Sequence, residues 1–184
     1  MSNDTRRDKL FDLLKTRAFR RGRIVLASGR ESDFYFDMKP AMLDPEGAAL
    51  MAELIMQELE GVEADLVGGL EMGAVPLIAP VAMKSRDFGR SLPGFFVRKA
   101  VKDHGTKKRV DGNDVAGKTV VILEDVTTTG GSALDAVQAV RAARGTVALV
   151  LTILDREEGA DAVFADVGIE FRSLFKAQEF LAAD

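Results

Sequence analysis

The stretch from Thr119 to Leu134, TVVILEDVTTTGGSAL, constrains the fold more than any other part of the chain. Val120 to Leu123 is a short continuous apolar run, the pattern of a strand covered on both faces in a parallel sheet. Two acids, Glu124 and Asp125, come next, followed by a hydroxyl- and glycine-rich turn from Thr127 to Ser132. From Ala133 to Arg144 the residues Leu134, Val137, Ala139 and Val140 recur at the spacing of a helix with one buried side. The segment therefore reads as strand, acid pair, turn and helix. In open parallel sheets ligands bind beyond the carboxyl ends of the strands, and a helix N-terminus there offers unpaired N–H groups and a dipole that favours phosphate.

Residue chemistry narrows that reading. Gly130 and Gly131 let the backbone approach a phosphate closely, and the hydroxyls of Thr127, Thr128, Thr129 and Ser132 can donate to its oxygens. The turn contains no lysine and no GxxxxGK[ST] pattern, so γ-phosphate transfer from ATP is not indicated. Glu124 and Asp125 would repel a polyphosphate unless they face sugar hydroxyls or a divalent cation. A phosphorylated sugar satisfies both halves.

The string VVILEDVTTTGGS resembles the phosphoribosyl pyrophosphate (PRPP) motif of the type I phosphoribosyltransferases. The resemblance implies that Glu124 and Asp125 hold the ribose hydroxyls. It implies also that the turn Val126, Thr127, Thr128, Thr129, Gly130, Gly131 and Ser132 binds the 5-phosphate.

The 184 residues, 47% hydrophobic, suit one domain spanning 1–184 with a sizeable core. No run of 18 apolar residues and no charged-then-apolar leader occurs, which predicts a cytoplasmic protein with no membrane partner. Without cysteine, and with His104 as the single histidine, thiolate chemistry and multi-histidine metal sites are excluded. A metal would need oxygen ligands, pointing to magnesium held mainly by substrate oxygens rather than by a dedicated protein site. The formal charge is −4, yet Arg98 to Arg109 carries six cations against Asp103 alone. A local positive segment on an acidic chain fits a small polyanion better than nucleic acid.

In chain order, Thr5 to Arg17 predicts an amphipathic helix capped by Asp4 or Thr5, with Gly22 ending that region. Ile24 to Ala27 and Ser32 to Lys39 read as strands around a Ser28-Gly29-Arg30 turn. The string LASGRESDFYFDMK resembles the hood of orotate phosphoribosyltransferases, about residues 20–40 here, implying that Phe34 and Tyr35 contact a planar pyrimidine. Many members carry lysine where Ala27 stands. Asp44-Pro45 begins a helix that runs to about Glu60, and Asp65 to Gly68 is a short strand. The glycine-rich GGLEMGA from Gly68 to Ala74 is a plausible second anion loop. Its position resembles the family's pyrophosphate loop, which implies that Glu71 and Met72 line PRPP, Met72 replacing a lysine of some relatives. Ala74 to Met83 follows as an apolar helix.

After the strand Pro93 to Val97, residues 98–113 have the composition of a mobile charged loop. The order Arg98, Lys99, Lys102, Asp103, His104, Gly105 resembles the family's catalytic loop. This implies that Lys102, Asp103 and His104 are catalytic and that Arg98, Lys99, Lys102 and His104 bind PRPP. Thr146 to Leu154 reads as the central strand, and Arg156 just beyond it is placed by the resemblance against the orotate carboxylate, with Thr128 also facing the base. Glu157 to Ala165, Glu170 to Leu174 and Lys176 to Ala183 read as helix, strand and helix.

Together these resemblances imply a type I phosphoribosyltransferase fold, a mostly parallel sheet flanked by helices with a small N-terminal hood. They imply magnesium-dependent formation of orotidine 5'-phosphate and pyrophosphate from orotate and PRPP in pyrimidine (UMP) biosynthesis, by a homodimer whose loop acts across the interface. Two alternatives stay open: a phosphoribosyltransferase for another base, and a PRPP-binding regulator without catalysis.

Overall fold

The computed structural model describes residues 3–25, 31–100 and 108–183. In chain order they form α1 (Asn3–Arg17), β1 (Phe19–Val25), β2 (Glu31–Phe36), α2 (Lys39–Met42), α3 (Pro45–Glu58), β3 (Leu66–Gly68) and α4 (Val75–Ser85). Then come β4 (Phe95–Val97), β5 (Val110–Gly112), β6 (Thr119–Thr127), α5 (Gly131–Ala142), β7 (Thr146–Asp155), α6 (Ala160–Asp166), β8 (Glu170–Lys176) and α7 (Ala177–Ala182).

Strands β3, β6, β7 and β8 pair in parallel in that order, as their apolar runs require. Single bridges, Val67 to Gly94 and Leu70 to Val97, attach β4 beside β3. Successive residues of a strand point to opposite faces, and β6 serves two cores in this way. Val121 and Leu123 join the cluster under α1, α3, α4 and α7, while Val120 and Ile122 join the cluster under α5 and α6. All four are fully buried, and each such side chain contributes about 1.5–3 kcal/mol by leaving water. The helices cap as their sequences require: Asp44 Oδ1 accepts from the N–H groups of Glu46 and Gly47, with Pro45 in the first turn of α3.

Several boundaries differ from the sequence reading. Helix α1 already begins at Asn3, so Thr5 lies within it rather than capping it. Gly22 does not end a region; it sits inside β1 at φ 139°, where the register with β2 shifts between Arg21 and Ile24, a bulge that glycine accommodates. Val110–Gly112, read as loop, is a strand antiparallel to β4. The organising strand does not stop at Leu123. Its ladder with β7 continues through Glu124↔Thr152 to Thr127↔Asp155, so both acids and Thr127 belong to the strand. Helix α5 likewise starts early, at Gly131, and the turn shrinks to residues 128–130. With β4 beside β3, the middle strand is β6, and β7, read as central, lies next to it.

Candidate active site

The extended β6 delivers Glu124 and Asp125 to the carboxyl edge of the sheet, immediately before the turn and the N-terminus of α5. Glu124 is 5% exposed. Burial raises its pKa well above the ordinary carboxylate value, the neighbouring Asp125 raises it further, and the Lys99 cation acts in the opposite sense. Asp125 is half-buried and its Oδ1 accepts from the Val126 N–H at 2.8 Å. Glu124 Oε2 and Thr127 Oγ1 are buried with no hydrogen-bond partner among the described residues. Buried polar atoms are nearly always paired, so two orphans at the mouth of one turn mark a place where a ligand completes the bonding.

The glycine-rich loop after β3 lies against the acids. A Cβ at Gly73 would stand 2.5 Å from Glu124 Oε1 and 2.6 Å from Asp125 Oδ1. The Glu71–Met72 peptide within the same loop is cis. Glu71 Oε1 accepts from the Lys99 N–H at 3.0 Å, fastening the loop to the start of the basic segment, and the Met72 side chain is exposed. In the turn itself Gly130 adopts φ 84°, a left-handed conformation that a side chain would strain, with the Phe164 ring about 3 Å from any added Cβ. Gly131 and Ser132, expected in the turn, form the first turn of α5, where their N–H groups belong to the unpaired set of the helix start. Thr128 is half-buried and Thr129 exposed at the turn surface. Thr127 lies beneath them, 2% exposed, with its hydroxyl unpaired among the described residues.

On the other side of the sheet edge, Arg156 follows β7, and its ion pair with the neighbouring Glu158 is buried rather than at the surface. Its side chain is 4% exposed. Its Nε donates to Glu158 Oε1 at 2.7 Å and its Nη2 to Ser32 Oγ at 3.1 Å, and its guanidinium lies 4.3 Å over the Phe34 ring. This stack connects the β1–β2 ribbon to the end of β7. Phe34 and Tyr35, expected to act as a pair, are neighbours on β2 and so face opposite sides: Phe34 packs toward Arg156 and Phe36, while Tyr35 is more exposed.

Lys39, a cation that the sequence reading passed over, is held at the same edge. Burial works against its charge, but Asp37, at 3.4 Å, and the more distant Asp125 and Tyr35 raise its pKa. Asp37 and Lys39 bracket the start of α2, a signal present in the sequence that only folding relates to Asp125. Ala27, Lys102, Asp103 and His104 lie outside the described residues.

Comparison with known proteins decides the family. The phosphoribosyl transferase domain model matches residues 41–177. The orotate phosphoribosyltransferase of Rhodopseudomonas palustris (strain BisB5) is 54% identical over 185 residues, covering 98% of this chain and 99% of that relative. The chain belongs to the orotate phosphoribosyltransferase family. Solved structures agree. The orotate phosphoribosyltransferase of Mycobacterium tuberculosis in complex with Fe(III) dicitrate superposes with a TM-score of 0.85 at 35% identity, covering 95% of this chain and 98% of that one. The same organism's enzyme in complex with PRPP gives 0.81 at 32%, with coverage of 95% and 98%. The type I phosphoribosyltransferase fold and the pentosyltransferase class follow from this membership.

Proposed function

We propose that the edge of the sheet between β6 and β7 transfers the phosphoribosyl group of PRPP to orotate, with the donor held at β6 and the base held at β7. The observation that carries this reading is the buried acid pair with an orphaned carboxylate oxygen beneath a glycine loop, one strand away from a buried arginine stacked on an aromatic ring.

The 5-phosphate is taken by the start of α5 and the surface hydroxyls of Thr128, Thr129 and Ser132, with Val126 to Gly131 supplying backbone. Glu124 and Asp125 hold the ribose hydroxyls. Burial and the neighbouring Asp125 favour the protonated form of Glu124, and the acid pair places negative charge beside the ring. That charge favours the positive ribose that develops as pyrophosphate leaves. Arg98 and Lys99, at the start of the basic segment, face the leaving group together with Lys102 and His104. Asp103 belongs to the same loop, and Glu71 and Met72 line the pyrophosphate side. Magnesium suits the oxygen-only donors of this edge; bound with PRPP, largely through that substrate's own oxygens, it would draw charge from the leaving pyrophosphate.

Phe34 stacks on the base and Arg156 takes the orotate carboxylate. Its bonds to Glu158 and Ser32 engage Nε and Nη2, so Nη1 is the nitrogen proposed to meet the carboxylate. Tyr35 and Thr128 flank the base. The reaction is the orotate step of UMP formation, and the chain acts in the cytoplasm without nucleic-acid or membrane partners. A two-fold dimer is supported by the apolar stripe of exposed Met72, Ala79 and Met83 along and before α4, with exposed Leu43 at the end of α2, which packs on α4. The basic segment then reaches the partner's site.

The test is the loss of orotate absorbance on adding PRPP and magnesium. Turnover with uracil or a purine, and none with orotate, overturns the base assignment. Lys102→Ala should depress turnover far more than thermal stability, and an unchanged rate removes Lys102 from the mechanism.

A further inference from the structure

Ser32 and Phe34 stand two residues apart on β2, so their side chains leave the strand on one face, the face that meets Arg156. A serine hydroxyl has one proton to give, and here Oγ donates it to the Phe34 carbonyl at 2.8 Å. Toward Arg156 the same oxygen can act only as an acceptor, which is what the Nη2 donor at 3.1 Å requires. The Phe34 N–H also reaches this oxygen, at 3.4 Å. One hydroxyl thus ties the arginine to the backbone of the residue whose ring its guanidinium covers.

Three contacts act on that guanidinium, and each removes a different freedom. The Phe34 ring, 4.3 Å away, limits its tilt. Glu158, accepting from Nε at 2.7 Å, holds the end nearest the stem of the side chain. An arginine held there alone can still swing its outer nitrogens about the remaining rotatable bonds. Ser32 holds one of those nitrogens. The side chain is 4% exposed, so solvent does not readily replace a lost acceptor.

We propose that Ser32 is a positioning residue for recognition of the orotate carboxylate: it joins the Arg156 guanidinium and the Phe34 backbone into one unit, so that the carboxylate and the ring of the base are read together. Ser32 acts through Arg156 rather than on the substrate, and the proposal rests on Arg156 being the partner of that carboxylate.

A purely structural serine would behave differently. The Ser32 backbone is held by the ladder with β1, opposite Ile24, and its side chain is half-buried. Removing the hydroxyl should therefore leave the ribbon in place and act on the guanidinium, with a small effect on stability and a selective one on orotate.

The experiment compares Ser32→Ala, Ser32→Thr, Arg156→Lys and the double variant Ser32→Ala with Arg156→Lys in the full-length protein, measuring kcat, KM for each substrate and Tm without ligand. A hydrogen bond to a charged group is worth about a factor of ten, so Ser32→Ala should raise KM for orotate about tenfold. KM for PRPP and kcat should stay within about twofold and Tm within about 2 °C. Ser32→Thr keeps the hydroxyl and should bring KM for orotate back to within about threefold of wild type. In the Arg156→Lys background, Ser32→Ala should add less than about twofold, because the two residues act as one unit. Unchanged KM for orotate in Ser32→Ala, equal rises in both KM values, no rescue by threonine, or multiplying effects in the double variant would each overturn the proposal. Arg156→Lys checks the underlying reading separately. If it leaves KM for orotate unchanged, the base assignment fails and the proposal with it; if it raises KM and Ser32→Ala does not, the positioning role alone fails.

Discussion

Substituting Gly73 by alanine probes the contact between the glycine-rich loop and the acid pair. Gly73 is absent from the positive-φ glycines, so alanine brings no backbone strain of its own and the effect isolates the added methyl. That methyl would lie 2.5 Å from Glu124 Oε1 and 2.6 Å from Asp125 Oδ1, about 0.9 Å short of the ~3.4 Å at which such atoms ordinarily touch. Neither carboxylate yields easily. Glu124 is 5% exposed, and Asp125 is bonded through the same Oδ1 to the Val126 N–H. The acids or the loop must therefore move by close to 1 Å, and a displacement of that size in a positioned group costs about a hundredfold in rate, or about 2.7 kcal/mol of transition-state stabilisation. Initial rates of orotate consumption at varied PRPP should show kcat/KM for PRPP reduced by about that factor, with Tm lowered by the modest amount typical of overpacking. A Gly73→Ala enzyme with kcat/KM for PRPP within twofold of wild type would show that the acids need not stand where the structure puts them.

The buried acid gives a pH signature. Because folding raises the Glu124 pKa, the native state binds the proton more tightly than the unfolded chain does, so this group's contribution is fully present below about pH 4.5 and is lost as pH rises toward the elevated value. Glu124→Gln should flatten the decline in stability above that pH, raising Tm at pH 7 while weakening PRPP binding; a lower Tm at pH 7 would refute the sign. Arg156→Lys keeps the charge but loses the fork and the stack on Phe34, and should raise KM for orotate about 10- to 100-fold with KM for PRPP little changed. Equal changes in both constants would count against the base assignment. Met83→Asp places a charge on exposed Met83 of α4 and should yield monomers in sedimentation at micromolar concentration, where the proposed wild-type dimer should persist; an unchanged dimer would place the interface elsewhere.

How much of this was legible depended on whether the determining contacts were local. Val120 to Leu123 announced a strand covered on both sides because nothing polar interrupts them, and both cores do meet there. The acid pair, the turn and the start of α5 were readable for the same reason: they are consecutive. What lies across the sequence was not. That β6 runs on through Glu124 to Thr127 is decided by its partner β7, whose ladder extends to Asp155. Thr127 looked like one more hydroxyl in the turn, but strand alternation buries it. Phe34 and Tyr35 looked like a pair until the pleat separated them, and nothing in the sequence related Arg156 to Ser32, 124 residues away. Lys39 and Gly73 gave no sign in isolation, since each matters through residues of β6 that only the fold brings near.

The division of labour between neighbouring strands has a consequence for how such proteins diversify. Most of what is proposed for the sugar phosphate is carried by β6, the start of α5 and the loop after β3, whereas the base meets β2, the residue that follows β7 and Thr128 of the turn. Among the described residues those halves meet at the sheet edge, where the Arg156 N–H donates to the Thr127 carbonyl. Base preference can therefore drift through changes in a two-stranded ribbon and one strand terminus while the acid pair, with its buried Glu124, is inherited intact.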